Sequence, residues 1–210
     1  MIIIGLTGSI GMGKTTAGAM LKRLGVAVYD ADAAVHKIFA RGGGAVAPVG
    51  EAFPGTVKDG AVDRDALSKA VLGDPQKLKQ LEAIVHPRVR AVQRDFLRRA
   101  ARERRDIVAL DIPLLFETGG EDRCDVTILV SAPRDVQARR VLARPGMTPE
   151  KFASILSHQM SDYEKRKRAD YIVLTGLDKG RTMGQLASIV KTLRGRDGSH
   201  WPPRPQIRRR

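Results

Sequence analysis

The sequence holds a single cysteine, Cys124, in 210 residues. An internal disulfide is therefore impossible, and so is a metal site built from a cysteine cluster. Aromatic residues make up only 4%, which leaves no row of rings on which nucleic-acid bases could stack. No apolar run approaches the ~18 residues that a membrane span needs. The start, Met1-Ile2-Ile3-Ile4-Gly5, has no basic stretch before it reaches a glycine-rich segment, so it does not read as a secretory signal. These absences point to a reducing cytoplasm and to no membrane partner. Acid is also scarce: 37 Lys and Arg face 23 Asp and Glu, a net charge of +14. Apolar residues at 42% and charged residues at 29% describe a globular chain with room for one substantial core.

The positive charge is local. Residues Lys191 to Arg210 carry seven basic side chains and one acid, Asp197. Arg88 to Arg105 carries eight arginines against Asp95 and Glu103. The first stretch contains Gly195, Gly198, Pro202, Pro203 and Pro205 and is not expected to form a packed element. The tail, 196–210, is also expected to be dispensable for activity. The second stretch has helical spacing, with Val89, Val92, Phe96 and Leu97 on one face. Such charge suits a polyanionic partner without saying which one.

The remaining pattern alternates. Short apolar runs at Ile2–Thr7, Val26–Tyr29, Ile107–Leu110, Val126–Val130 and Tyr171–Leu174 read as strands. Helical spacing covers Lys14–Leu24, Asp32–Phe39, Asp63–Leu72, Pro75–Ala101, Pro133–Leu142, Pro149–Met160 and Met183–Leu193, with a break expected near Pro87. Gly42-Gly43-Gly44 and Phe53-Pro54-Gly55 punctuate a loop-rich region. Strands buried on both faces and alternating with helices predict an α/β fold, a doubly wound parallel sheet. The stretch 41–104 shows no strand and reads as a helical insertion.

Gly8-Ser9-Ile10-Gly11-Met12-Gly13-Lys14-Thr15 fits G-x-x-x-x-G-K-[ST], between a strand and a helix. Its glycines allow the backbone to aim N–H groups inward, and the helix N-terminus adds positive potential. Lys14 reaches β- and γ-phosphates, and the Thr15 hydroxyl is placed to ligate Mg²⁺. The motif specifies a nucleoside triphosphate but not the reaction. No N/T-K-x-D guanine-reading motif occurs, which argues against a GTPase.

Asp30-Ala31-Asp32 sits at the end of the second strand, on the side where ligands bind in open α/β sheets. A carboxylate there can accept the proton of an attacking hydroxyl, or merely cap the next helix. Asp111 ends an apolar strand and is a candidate Mg²⁺ ligand beside Thr15, or simply a strand-end turn residue. Pro113-Leu114-Leu115-Phe116-Glu117 could wall an acceptor, with Glu117 as a polar contact, or be core. Arg140 and Arg144 share a helix face near Pro145-Gly146, as suits a closing lid over phosphates or a solvated basic face. His86, beside Pro87, reads alone as a structural histidine.

With these residues in hand, the chain resembles the dephospho-CoA kinase family from Met1 to about Lys191. The resemblance rests on Gly5-Leu6-Thr7-Gly8-Ser9-Ile10-Gly11, Asp30-Ala31-Asp32, His86-Pro87 and Pro113-Leu114-Leu115-Phe116-Glu117. Gln137, Arg140, Arg144, Gln159, Lys165-Arg166 and Ala169-Asp170 complete it. It implies a kinase acting on the ribose 3′-hydroxyl of dephospho-CoA with ATP and Mg²⁺. Asp32 would be the general base, with Lys14 and Arg140 catalytic. Gly8, Gly11, Met12, Gly13, Lys14, Thr15, Thr16 and Arg144 would bind ATP, and Thr15 and Asp111 the metal. Asp30, His86, Leu114, Phe116 and Glu117 would face the acceptor. A single domain, 1–195, would comprise a core (1–40, 105–132, 165–195), the substrate insertion 41–104 and a lid 133–164. A monomer is the default assembly, and no nucleic-acid partner is expected. Two departures stand out: Ile155-Leu156 replaces an Arg-Ile pair of many members, and Leu174-Thr175-Gly176 replaces an Asn-containing turn. From residues alone, two alternatives remain: another small-molecule kinase of this fold, or a basic ATP-binding nucleic-acid protein.

Overall fold

The computed structural model describes residues 1–202 and divides into two compact units, Met1–Tyr29 with the chain from Ala100 onward, and Asp30–Arg99. The elements run in the order β1 (Ile2–Thr7), α1 (Lys14–Arg23), β2 (Ala27–Asp30), α2 (Ala31–Phe39), α3 (Val46–Ala52), β3 (Val57–Lys58), β4 (Ala61–Val62), α4 (Arg64–Val71), α5 (Pro75–Arg102) and β5 (Ile107–Asp111). A 3-10 turn (Gly120–Arg123) then leads to β6 (Val126–Ser131), α6 (Arg134–Leu142), α7 (Pro149–Ser157), α8 (Asp162–Arg168), β7 (Tyr171–Leu174) and α9 (Lys179–Leu193).

The first unit is built on a five-stranded sheet in the order β2-β5-β1-β6-β7. β1 runs parallel to β5 and β6, and β6 runs parallel to β7. In register, Ile4 lies opposite Ala109 on one side and Val126 on the other. Every residue of β1 is buried, which is why its sequence is apolar throughout rather than alternating. On one face, Ile2, Ile4 and Leu6 join Ala17, Met20 and Leu21 of α1 and Leu186, Ile189, Val190 and Leu193 of α9. On the other, Gly5 lies against Leu115 and Cys124, where a Cβ would come 2.7 Å from Leu115 Cδ2. The strand order reverses at β1, so its C-terminal end opens onto the crevice where such sheets bind ligands.

The second unit packs Ile38, Phe39, Ala45, Val49, Phe53, Val62 and Leu67 into its own core. Leu81, Ile84, Val85, Val89 and Val92 of α5 pack against them. The expected break at Pro87 is not there. α5 is continuous for 28 residues with Pro87 inside it, because this apolar stripe offsets the ~3 kcal/mol that an interior proline costs. Arg88 adds a tie, its Nε donating to the Gly44 carbonyl at 2.6 Å.

Three further expectations need correction. The 41–104 stretch does contain strands, since β3 and β4 pair antiparallel across Asp59-Gly60. Both turn residues have positive φ, 52° and 76°, the geometry that makes Asp-Gly a hairpin signal. The loop-rich region also holds α3, which survives Pro48 and Gly50 because Ala45, Val49 and Phe53 bury around it. The expected helix to Met160 stops at Ser157, and α8 starts afresh behind Ser161, whose Oγ accepts the Glu164 N–H at 3.2 Å.

As far as it is described, the tail forms no helix or strand, as expected, but it is tied down by hydrogen bonds. Asp125 Oδ2 accepts the Ile3 N–H at 2.8 Å. Its Oδ1 takes the Ser199 N–H at 2.5 Å, the Ser199 hydroxyl at 2.9 Å and the His200 N–H at 3.2 Å. The chain end is thus strapped to the sheet as far as His200; 203–210 lie outside the described residues. Burial works to raise the Asp125 carboxyl, but the Ile3 and Ser199 amides and the His200 and Ser199 side chains hold it below the ordinary carboxylate range. A depressed folded value stabilises above the ordinary range, and that stabilisation is lost as pH falls through the folded value. Asp125→Ala is expected to melt a few degrees below wild type at neutral pH, with the gap narrowing only as pH falls below the ordinary carboxylate range toward the lowered folded value. Thermal melts across that range check it, and a gap independent of pH would contradict it.

Candidate active site

β1 delivers the chain to the loop, and α1 takes it away. Gly11 and Gly13 have φ of 78° and 89°, a left-handed conformation that costs glycine little. Gly8 is required for space: a Cβ would crowd Val130 and lie 2.8 Å from its carbonyl oxygen. No side chain caps α1, so its first amides remain available to an anion.

What aims the loop is the fate of its carbonyls. Ser9 O accepts the Met12 N–H at 3.1 Å, and Gly13 O accepts the Ala17 N–H at 3.0 Å. Ile10 O accepts from Gln137 Nε2 at 2.8 Å. Gly11 O accepts from Arg140 Nη1 at 3.4 Å. Met12 O accepts from the Thr175 hydroxyl at 2.6 Å. Each carbonyl from Ser9 to Gly13 is thereby engaged, three of them by side chains from outside the loop. The Met12 side chain is buried, and its Sδ accepts the Ala132 N–H at 3.1 Å.

Lys14 Nζ and Asp111 Oδ1 form an ion pair of 2.5 Å, with side-chain exposures of 16% and 8%. β5 thus carries the acid from its end to the first residue of α1. Thr15 and Thr16 are exposed on that first helical turn. Asp111 Oδ2 lies on the other side, 3.4 Å from where a Cβ on Gly18 would sit. A threonine hydroxyl and a carboxylate are hard oxygen donors, a set that fits Mg²⁺.

Arg140 donates Nη2 to the Thr175 carbonyl at 2.6 Å as well as bracing Gly11. Arg144, one turn further along, is exposed. Arg139 instead forms an exposed i,i+4 pair with Asp135 at 3.1 Å. Leu114 is exposed, whereas Phe116 is buried with Arg168 Cζ 5.2 Å from its ring centroid. Glu117, expected as a polar contact for an acceptor, is turned inward: its Oε1 lies 2.9 Å from both Lys165 Nζ and Met160 N. Thr175 and Lys165 carry contacts that spacing and composition do not announce. Cys124 is buried, and burial foremost pushes its thiol up to about 12, in keeping with an inert packing residue.

The other expected residues belong to the second unit. Asp30 Oδ1 caps α2 by accepting the Ala33 N–H at 2.9 Å. Asp32 is exposed in the first turn of the same helix. His86 is exposed on α5. His36, not singled out by the sequence, meets Arg64, with Nη1 2.8 Å from Nε2. Among the described residues, no cluster of three His, Cys, Asp or Glu could hold a metal. No described helix is long and apolar enough to cross a membrane.

The family model for dephospho-CoA kinase matches residues 2–178. The chain belongs to the dephospho-CoA kinase family. A member from Paramagnetospirillum magneticum is 62% identical over 93% of this chain and 92% of its own length. A dephospho-CoA kinase from Mesorhizobium japonicum is 52% identical over 95% of this chain and all of its own. A crystallised Thermus thermophilus protein superposes with a TM-score of 0.82 at 38% identity, covering 91% of this chain and 96% of that one. A Campylobacter jejuni dephospho-CoA kinase shares the fold, with a TM-score of 0.62 at 22% identity over 91% and 96% of the two chains. The fold expected from the sequence, a parallel α/β P-loop kinase, is the one found.

Thr175→Val removes the donor to Met12 O while keeping the shape. It is expected to weaken ATP binding about tenfold, the scale of one well-made hydrogen bond. Isothermal titration of ATP against both proteins checks this, and unchanged affinity would contradict it.

Proposed function

We propose that the protein transfers the γ-phosphoryl group of ATP to the ribose 3′-hydroxyl of dephospho-CoA, giving coenzyme A and ADP. The observation that carries the reading is the phosphate loop with its engaged carbonyls and its Lys14–Asp111 pair, in a chain of this family. Phosphoryl transfer asks the protein for positioning and charge rather than covalent chemistry. The loop amides and α1 hold the phosphates of ATP, and Lys14 places a cation on the β- and γ-oxygens. Arg140 adds charge beside Gly11, and exposed Arg144 can reach the phosphates.

Thr15 and Asp111 are the residues that would hold Mg²⁺. When bound, the ion would supply charge neutralisation for the phosphates. Asp30 is occupied as a helix cap, and exposed Asp32 is the carboxylate assigned the proton of the 3′-hydroxyl. His86 and Leu114, both exposed, are the residues assigned to the acceptor. Phe116 and Glu117 support the site from within. The segment 41–104 is read as the acceptor-binding part and 133–164 as the lid, in a cytoplasmic enzyme.

Asp32→Asn is expected to lower kcat at least ~10²-fold, the low end of general-base contributions, with little change in ATP affinity. Lys14→Ala should abolish useful turnover. Steady-state kinetics check both, and near-wild-type kcat for Asp32→Asn would remove it as the base. The substrate is tested by ADP release with dephospho-CoA, adenosine, AMP and CMP at equal concentration. Turnover is expected with dephospho-CoA, and faster turnover with any of the others would overturn the assignment.

A further inference from the structure

Lys165 is fully buried, and Glu117 beside it has a side-chain exposure of 15%. Taking two charges out of water is costly, and two apolar residues would fill the same space. The pair therefore calls for an account beyond packing. Glu117 Oε1 serves two partners at once, Lys165 Nζ at 2.9 Å and the Met160 N–H at 2.9 Å. Met160 lies in the short linker between α7 and α8, which has no regular ladder to fix it. Its neighbour Gln159 turns Oε1 to the Ile10 N–H at 3.2 Å. Ile10 is the residue of the phosphate loop whose carbonyl is taken by Gln137. Both polar groups of Ile10 are thus held by side-chain amides, and one of those amides stands on a backbone that Glu117 pins.

We infer that Glu117 and Lys165 are positioning residues for the phosphate loop, acting through the Met160 backbone and the Gln159 carboxamide. Lys165 neutralises Glu117 so that the carboxylate can stay buried at the Met160 amide. Glu117 sets where the linker runs, and Gln159 passes that position to the Ile10 peptide. The loop amides point at a common centre only while this peptide keeps its orientation. α8 keeps two other anchors, Asp162 to the Ser131 hydroxyl at 2.8 Å and Arg168 to Glu121. A change at Lys165 therefore need not release the helix.

The inference rests on the reading that this loop binds the phosphates of ATP, so its test reads ATP affinity directly and needs no acceptor. The wild type and four variants are titrated with ATP by calorimetry, with Tm measured alongside. In Glu117→Leu/Lys165→Met both charges go and the Met160 acceptor goes with them. In Glu117→Gln/Lys165→Met both charges go but an acceptor oxygen remains. Gln159→Ala removes only the last link. The triple variant combines Gln159→Ala with the leucine pair.

ATP affinity should fall about tenfold in the leucine pair and in Gln159→Ala, one hydrogen bond's worth. The glutamine pair should recover most of that loss at a Tm close to the leucine pair's. The triple variant should lose no more than either parent, because all act on one contact. Additive losses, an equal loss in both pairs, or unchanged affinity in Gln159→Ala would overturn the inference. If the pair variants do not fold, unchanged affinity in Gln159→Ala still overturns the inference, since that variant disturbs no buried charge. A wild-type protein that fails to bind ATP would instead overturn the functional reading.

Discussion

The site depends on one constraint: a stretch of backbone must turn its amides toward a single point, so its carbonyls must be satisfied elsewhere. Buried peptide oxygens without partners are costly. Here the loop and α1 satisfy one each, and Gln137, Arg140 and Thr175 satisfy the other three between Ser9 and Gly13. Those three side chains come from α6 and from the turn after β7. The first-unit sheet brings them to one end because β6 lies beside β1 and β7 lies beside β6. The parallel topology therefore does more than build a core: it carries donors to the back of an anion site.

Charge follows a similar logic at two depths. The exposed pairs, such as Arg139–Asp135 and Lys167–Glu164, contribute little to stability because water screens them. Lys14–Asp111 and Lys165–Glu117 are different, since each places a shielded ammonium against a carboxylate, the first at the end of β5 and the second in the turn that follows β5. The first fixes the side chain of Lys14 at the start of α1. The second holds the Glu117 carboxylate at the Met160 amide. The +14 of the whole chain adds a long-range field that draws polyanions such as ATP at low ionic strength.

Much of this was legible in the sequence, and the reasons are specific. β1, β5 and β6 are nearly continuous apolar runs because these parallel strands are covered on both faces; the edge strand β7 keeps the apolar run although Ile172 and Leu174 are exposed, and all four match within a residue or two. The phosphate loop was legible because its chemistry demands fixed residues at fixed spacing. α3 was not, because Pro48 and Gly50 disfavour a helix that only tertiary burial of Val49 rescues. Pro87 misled in the opposite direction, since a packed stripe outweighed one lost hydrogen bond. The β3–β4 hairpin and α8 did carry signals, Asp59-Gly60 and Ser161 with Glu164, that went unread. Thr175 and the inward turn of Glu117 had no local signal, because each is defined by a partner tens of residues away.

The central claim is that this phosphate site serves one hydroxyl of one acceptor. The most direct measurement is the structure of the product formed from ATP and dephospho-CoA, read by phosphorus and proton magnetic resonance. The account predicts a new phosphomonoester whose phosphorus couples to the ribose 3′ proton, formed together with ADP. A phosphate on any other hydroxyl, or ADP formed with dephospho-CoA left unchanged, would contradict it.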